Sequence, residues 1–362
     1  MVPANRADYR PQIDALRAIA VLAVLYNHFW REESQLGHLG VRLFFVISGF
    51  LITGILLALK GGVERGERAR SKNIGYFYAR RALRILPIYY LAIAAAYLLN
   101  LANIRSTILW HVLQASNLLF ALSQSWRPWV AAHLWSLNVE EQFYLAWPII
   151  VFFTPRRWLS ATIIAVMLVA PIYRLLALAL FGSGSYAIDI IPFASLDALG
   201  AGALLALVAD ARRARRWLIP LGVLGAAVFV LGVGIWPIAQ VDAAETLLDS
   251  VCLLPMAAIV FMASQGASGP LGHLLNLAPL VALGRISYGV YLYHLFALAV
   301  LEKLATRLRM GIDLSDGMAC FLIASSATII GAALSWYMIE RPINDLKRHF
   351  PYTRRPARAL TA

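Results

Sequence analysis

Apolar segments, each long enough to cross a membrane, follow one another along this chain of 362 residues. Runs of roughly 20 mostly hydrophobic residues recur, and an α-helix of that length spans the ~30 Å hydrocarbon layer of a bilayer. We predict ten spans, at residues 13–30, 39–59, 85–102, 134–153, 158–180, 193–209, 217–235, 247–264, 279–300 and 315–338. Composition agrees, because 60% of the residues are hydrophobic. The pattern therefore predicts an all-α integral membrane protein with about ten transmembrane helices.

The distribution of basic residues predicts how these helices are oriented. An even number of spans places both termini on one side of the membrane, and cytoplasmic loops carry an excess of Lys and Arg. We count 24 of the 32 Lys and Arg residues on the side of the termini. Both termini are therefore predicted to be cytoplasmic. The net charge of +13 then mainly reflects topology, and no nucleic-acid partner is expected.

The segments between and beyond the spans indicate a simple domain organisation. We expect a basic cytoplasmic lead at residues 1–12, a single transmembrane domain at 13–340 and a basic cytoplasmic tail at 341–362, with no fused soluble domain. Cys252 and Cys320 lie in apolar segments without a partner at metal-binding spacing, so neither a disulfide nor a metal site is predicted. The high usage of Ala, Leu and Arg suggests a bacterial chain, which would place it in the inner membrane.

The first span carries ionisable side chains that are costly inside a bilayer. Arg17 and His28 are eleven residues apart, almost three helical turns, so they share one face about 16 Å apart along the axis. Asp14 lies close to the same stripe. Buried ionisable groups by default face a protein interior or a water-filled cavity and serve a function. The alternative is that Asp14 and Arg17 form an ion pair at the membrane surface.

A basic stretch at 60–84, which we interpret as a polar loop, leads into the third span. Arg80, Arg81 and Arg84 lie within about one helical turn and form a cationic patch. Such a patch is typical of a topology signal or an anionic-lipid site. Guanidinium groups also match phosphate oxygens, so a diphosphate-binding site is the sharper interpretation.

Polar residues in three other spans are further candidates for chemistry. Glu140 and Glu141 are adjacent in an apolar run, where one carboxyl could act as an acid or base, or both could cap or line the membrane surface. Tyr291 and His294 form a polar stripe with Ser287 in the ninth span, which could equally be polar packing between helices. In the second span, the small residues Ser48, Gly49 and Gly54 favour close helix packing.

Five motifs occur in a fixed order along the chain. They are Arg17-x10-His28, the GVRLFFVISGF run at Gly40–Phe50, Arg81-x-x-Arg84, the WSLNVEEQFY run at Trp135–Tyr144 and the ISYGVYLYH run at Ile286–His294. Together they resemble the acyltransferase-3 family of bacterial membrane O-acyltransferases, from Ile13 to Pro342. Two positions depart from the family pattern: Ala15 stands where Gly is frequent, and Arg42 where an acidic residue is common.

This resemblance implies an O-acyltransferase, most simply an O-acetyltransferase, with a cytoplasmic acyl-CoA donor such as acetyl-CoA and no metal. The acceptor is expected to be a hydroxyl of a cell-surface carbohydrate or glycolipid, such as a polysaccharide or lipopolysaccharide. Besides these substrates, membrane lipids are expected to contact the chain. A homo-oligomer or a separate extracytoplasmic partner is compatible with the resemblance.

The resemblance also suggests roles for the candidate residues. Arg17, Arg81 and Arg84 are expected to bind the donor phosphates. His28 is the candidate general base, and Glu140 or Glu141 would orient it or the acceptor. The expected substrate-binding residues are Ser48, Tyr291, His294 and Arg42. A transient acyl-enzyme on His28 or Ser48 is the alternative to direct transfer.

Two other classes of function fit the same sequence features. A transporter or flippase of a lipid-linked or polar sugar would also line its pathway with buried charges. A structural subunit of a glycan-assembly complex is the third alternative.

Overall fold

The computed structural model describes residues 10–208, 211–234, 242–309 and 317–352, and within these ranges it is helical with no strand. Seventeen α-helices lie in these ranges: α1 Pro11–Phe29, α2 Leu36–Glu64, α3 Arg70–Leu99, α4 Ile108–Val112, α5 Ser116–Ser123, α6 Leu134–Phe153, α7 Arg156–Phe181, α8 Ala187–Ile190, α9 Leu196–Ala206, α10 Ala211–Gly234, α11 Asp242–Val251, α12 Leu253–Gln265, α13 Gly269–Leu275, α14 Ala278–Arg285, α15 Ser287–Arg307, α16 Met318–Ser335 and α17 Arg341–Asp345. Residues 1–9 of the predicted lead and 353–362 of the predicted tail lie outside the described residues.

Several of these helices have the length and composition of membrane spans, which confirms an all-α membrane protein. In the described part of the chain, six segments are long and apolar enough to cross a bilayer: Leu36–Glu64, Arg70–Leu99, Arg156–Phe181, Arg212–Gly232, Thr246–Gln265 and Met318–His349. A shorter apolar segment covers Pro192–Ala206. Each of the ten predicted spans overlaps a helix. The number of ten crossings and the orientation of the termini stay predictions.

The predicted bounds are wrong in two places. The stretch 60–84 is mostly helix, because α2 continues to Glu64, α3 begins at Arg70, and Pro87 lies inside α3. Its Arg, Lys and Ala residues are good helix formers, so helices project past the apolar segments. The ninth predicted span, 279–300, is interrupted at Ile286, which ends α14 and precedes α15.

Helix α1 lies at the centre of the fold. It packs against α2, α12, α14, α15 and α16, so neighbours surround it. Ala15, Leu16, Val21 and Val24 are fully buried on it. Polar side chains on such a helix face the protein interior instead of lipid. This agrees with the prediction for Arg17 and His28, whose ionisable side chains would be costly in contact with lipid.

Helices α2 and α9 approach each other at backbone distance. A Cβ atom on Gly49 would lie 1.9 Å from the Leu199 carbonyl oxygen, and one on Gly202 would lie 1.9 Å from the Val46 carbonyl oxygen. Any larger residue would separate the helices, so glycine is needed at both positions. The prediction of close packing is thus confirmed for Gly49. It is wrong for Gly54, where a Cβ would have no neighbour within 4 Å.

Candidate active site

A large basic cavity lies beside the N-terminal half of α1, where Arg17 is located. Its volume is about 850 Å³. Six arginines and two acidic residues line it: Arg10, Arg17, Arg65, Arg68, Arg84, Arg285, Asp14 and Glu67. This excess of guanidinium groups gives the basic cavity a positive charge that would suit an anionic ligand, since Arg forks pair well with phosphate and carboxylate oxygens.

A smaller cavity of about 230 Å³, which we call the middle cavity, adjoins the basic cavity. Arg17 and Arg84 line both, and Arg81 lines the middle cavity. Within it, the Ser48 hydroxyl donates a 2.6 Å hydrogen bond to Oε1 of Glu140. The Nε of Arg81 is buried and makes no hydrogen bond in the described part of the chain. An unpaired buried donor of this kind is explained if a bound anion pairs with it.

A third cavity, the distal cavity, lies beyond the middle cavity and has a volume of about 390 Å³. His28 and His133 line it, and Val41 and Tyr291 line both it and the middle cavity. At this junction the Tyr291 hydroxyl lies 2.5 Å from the hydroxyl of Ser136. The basic, middle and distal cavities therefore follow one another along α1, over the about 16 Å from Arg17 to His28.

Hydrogen bonds determine which nitrogen of His28 faces a substrate. Nδ1 of His294 lies 2.6 Å from the Tyr291 carbonyl oxygen, which can only accept, so this nitrogen carries the proton. In a neutral His294, Nε2 is then an acceptor, and His28 Nδ1 donates to it at 3.1 Å. The arrangement leaves the lone pair of His28 on Nε2, as proton abstraction from a substrate requires.

His133 completes a group of three histidines around this point. Its ring centroid lies 4.6 Å from that of His294, and its Nε2 donates to the Leu292 carbonyl oxygen at 2.9 Å. Within the described ranges, no group of three or more His, Cys, Asp or Glu side chains could hold a metal ion. That the chemistry is metal-free stays a prediction.

The structure brings most of the predicted site residues together, but it places two elsewhere. The residues that line the middle or distal cavity, or bond directly to one that does, are Arg17, His28, Ser48, Arg81, Arg84, Glu140, Tyr291 and His294. Glu141 lines none of the three cavities, because adjacent residues are about 100° apart around a helix.

Arg42 is the second residue that the structure places elsewhere. It is 2% exposed, and its Nη2 pairs with the Asp197 carboxylate at 3.0 Å, which Arg174 also contacts, at 2.8 Å. Nη2 of Arg42 also donates a hydrogen bond to the Asp249 carbonyl oxygen at 3.0 Å. The predicted direct contact with substrate has no support from this position. Arg42 instead joins α2 to α9 and α11.

Among the polar residues at these cavities that sequence reasoning missed are Ser136, Tyr144 and His133. Ser136 and Tyr144 lie four residues on either side of Glu140, so the helical period places all three on one face. That spacing could have revealed them. His133 offered no such signal, because it precedes the helix and meets His294 only in the folded chain.

Comparison with known proteins shows the family to which the chain belongs. Residues 10–339 match the family described as an acyltransferase domain, acyltransferase-3. The chain belongs to this acyltransferase family. The predicted resemblance is thereby confirmed, and all residues that line the three cavities lie in the part of the acyltransferase that the family covers, except Tyr352 of the basic cavity.

Several curated proteins are similar to this acyltransferase. It is 30% identical to the putative peptidoglycan O-acetyltransferase YrhL of Bacillus subtilis (strain 168), over 92% of this chain and 55% of that protein. It is 27% identical to the peptidoglycan O-acetyltransferase OatA of Listeria monocytogenes, over 92% of this chain and 56% of that one. The acyltransferase thus spans little more than half the length of these relatives. No solved structure matches it.

Proposed function

We propose that this acyltransferase is a membrane O-acyltransferase that moves an acetyl group from acetyl-CoA, or another acyl group from its CoA thioester, to a hydroxyl of a cell-surface carbohydrate or glycolipid. The observation that supports this proposal most directly is that the three cavities adjoin one another. The basic cavity has six arginines, the middle cavity has the Ser48–Glu140 pair, and the distal cavity has His28. The names of the relatives, peptidoglycan O-acetyltransferases, support acetyl transfer to a glycan.

The basic cavity suits the donor. Coenzyme A carries three phosphate groups, and guanidinium groups bind such oxygens by charge-assisted hydrogen bonds. With the nucleotide held there, the pantetheine arm would pass between Arg17 and Arg84 into the middle cavity. The predicted orientation, with both termini in the cytoplasm, would open the basic cavity to cytoplasmic acyl-CoA and place the chain in the bacterial inner membrane.

The distal cavity suits the acceptor and the base. His28 Nε2 would take the proton of the acceptor hydroxyl while its oxygen attacks the thioester carbonyl carbon. The tetrahedral oxyanion collapses as the C–S bond breaks, and the thiolate is protonated to coenzyme A.

The Ser48–Glu140 hydrogen bond favours a two-step route as a second candidate. The Ser48 oxygen would attack the thioester, Glu140 would accept its proton, and coenzyme A would leave as the thiol. The acceptor oxygen would then attack the seryl ester while His28 takes the proton of the acceptor hydroxyl. The bond between the acyl carbon and the Ser48 oxygen would break, and that proton would return to the Ser48 oxygen.

Thiol release from acetyl-CoA by the purified protein in detergent tests the proposed function. We expect His28→Ala to lower kcat at least ~100-fold, since general-base catalysis contributes 10²–10⁴-fold. Arg17→Ala should raise the KM for acetyl-CoA ~10-fold or more, because a charged hydrogen bond contributes about 1.5–3 kcal/mol. The matched controls His273→Ala and Arg157→Ala change exposed residues outside the three cavities and should behave as wild type.

Radiolabelled acetyl-CoA without acceptor separates the two routes. Label that stays on the protein and is lost in Ser48→Ala supports the seryl ester, whereas label lost only in His28→Ala places the acyl group on the histidine. Wild-type protein that releases thiol with acceptor but never holds label supports direct transfer. No thiol release with any glycan acceptor would contradict the acyltransferase function and favour a transporter.

A further inference from the structure

A fourth cavity, the side cavity, opens beside the distal cavity and has a volume of about 460 Å³. Its polar and aromatic lining includes Gln35, His38, Trp126, Ser185, Asp189 and Asp249. The segments that carry these residues are the start of α2 with the residue before it, the chain between α5 and α6, the chain around α8, and α11. The side cavity shares no lining residue with the basic cavity where the donor would bind.

The side cavity is continuous with the distal cavity that holds His28. His38 and Trp126 line both cavities. A ligand seated in the side cavity could therefore extend past these two residues and present a group to His28. The combined space, within the 300–1,000 Å³ usual for ligand sites, exceeds what one hydroxyl group needs.

Aromatic rings form the wall between the two cavities. Trp126 stacks on Tyr186, with ring centroids 4.6 Å apart and planes 29° apart, and both rings line the side cavity. Trp129 and Trp135 continue this aromatic lining into the distal cavity. Such rings offer a broad apolar contact surface, which suits the C–H face of a sugar ring.

Hydrogen-bonding groups of the side cavity complement hydroxyl groups. Asp189 is exposed to the cavity, and its carboxylate makes no hydrogen bond with the described residues. Gln35 adds an amide, which both donates and accepts. An ionised carboxylate accepts two or more hydrogen bonds, so Asp189 can hold the vicinal hydroxyls of a sugar.

The charge at this end of the molecule is opposite to that of the basic cavity. Asp189, Asp249 and Glu32 line the side and distal cavities, against His38 as the one titratable base on the side cavity's described lining. Asp249 is paired with His38, so Asp189 and Glu32 are the carboxylates on these linings that disfavour an anionic ligand, whereas the six arginines of the basic cavity attract one. The difference in charge between the two cavities would direct an anionic donor to the basic cavity and favour an uncharged acceptor in the side cavity.

We propose that the side cavity binds the acceptor as a neutral glycan, with Asp189 holding sugar hydroxyls and the Trp126–Tyr186 stack holding a ring face, so that the next sugar reaches His28. This inference rests on the proposed function for the reaction, but the glycan site itself is independent of the donor.

A half-exposed ion pair and two buried ones support the lining of the side cavity. Asp249 bonds His38 at 2.6 Å, and Arg42 donates to the Asp249 carbonyl oxygen at 3.0 Å. Arg174 pairs with Asp197 and donates to Ser250 at 2.6 Å. Arg42 is thus a positioning residue for the acceptor site, acting through Asp249, and does not itself contact the glycan.

Binding of chitotetraose, a neutral tetramer of N-acetylglucosamine, to the purified full chain without donor tests the proposal. Saturation-transfer NMR or calorimetry gives the Kd. We expect Asp189→Asn to raise this Kd at least tenfold, while the KM for acetyl-CoA stays within twofold. The anionic tetramer of galacturonic acid should bind wild type at least tenfold more weakly than chitotetraose, and Asp189→Asn should narrow that gap.

The matched control is Glu33→Gln, which removes an exposed carboxylate from the neighbouring loop outside the described cavities and should bind as wild type. If Asp189→Asn fails to fold, Gln35→Ala replaces it with the same expected loss. Wild-type binding by both variants, tighter binding of the anionic tetramer, or no binding of chitotetraose to wild type overturns the proposal. Glycan binding without thiol release would instead contradict the proposed function and leave the glycan site standing.

Discussion

His28 owes its chemical character to its neighbours. His28 Nδ1 donates a hydrogen bond to Nε2 of His294, and His294 Nδ1 donates one to the Tyr291 carbonyl oxygen. The lone pair of His28 that is free to accept a proton therefore lies on Nε2. A partner that fixes the tautomer of a reactive histidine usually contributes strongly to activity without touching substrate.

His294→Phe therefore has a defined expected result. The ring volume is kept but the acceptor nitrogen is lost, so we expect kcat to fall ~10–100-fold with the KM for acetyl-CoA within twofold of wild type. Steady-state thiol release measures both constants.

The conservative variant His294→Gln is the control for that experiment. Its amide oxygen can still accept from His28 Nδ1, so it should recover part of the lost kcat. Equal activity of the Phe and Gln variants would mean that His294 only fills space.

For single residues, the sequence predicts many of those that line the candidate site. It does not predict which of them contact each other in the folded chain. Arg17, His28 and Glu140 could be predicted because charged residues inside apolar runs are costly and need a reason. The pairing of His28 with His294, which are 266 residues apart, arises only when α1 packs on α15. No local pattern encodes such a contact.

Among the helices, one carboxylate joins four elements. Oδ2 of Asp197 on α9 accepts hydrogen bonds from Arg42 on α2, Arg174 on α7 and Ser250 on α11. Two buried guanidinium groups therefore share this counter-charge, and the Asp249 carboxylate lies 3.9 Å from Nη2 of Arg42. Breaking a buried ion pair costs about 3–5 kcal/mol, because the remaining charge is left without compensation.

Asp197→Asn is accordingly expected to lower the free energy of unfolding by about 3–5 kcal/mol. Thermal unfolding in detergent, followed by circular dichroism, measures the loss as a lower melting temperature. Glu64→Gln is the matched control, since it breaks the exposed 2.8 Å pair with Arg156 and should cost at most about 1 kcal/mol. A melting temperature for Asp197→Asn equal to that of Glu64→Gln would contradict this account.

The sequence predicts where helices occur better than it predicts where they begin and end. Every apolar run predicted as a span contains helix, since hydrophobic length sets the signal. The prediction of a loop at 60–84 is wrong because a polar sequence indicates exposure to water and does not by itself end a helix. The break at Ile286 was missed because apolar residues continue on both sides of it.

For the whole molecule, the predicted orientation has a direct test. Glu33 and Ser71 are exposed and lie before and after α2, so they should be on opposite sides of the membrane. With Glu33→Cys we expect labelling of intact cells by a membrane-impermeant maleimide. With Ser71→Cys, labelling should require permeabilisation. Cys252 and Cys320 are 2% and 1% exposed, so they should add little background. The reverse pattern would place the termini outside.

Helix α9 is short, and its length affects the molecule around it. Its eleven residues measure about 16 Å, roughly half of the ~30 Å hydrocarbon layer. The backbone that precedes it is the 3-10 turn Pro192–Ser195, where Arg174 binds the Ala194 carbonyl oxygen, so this irregular stretch faces charged protein groups instead of lipid. Helices α2 and α7, which pack against α9 and are both long enough to cross a bilayer, therefore have to complete the protein around this short helix.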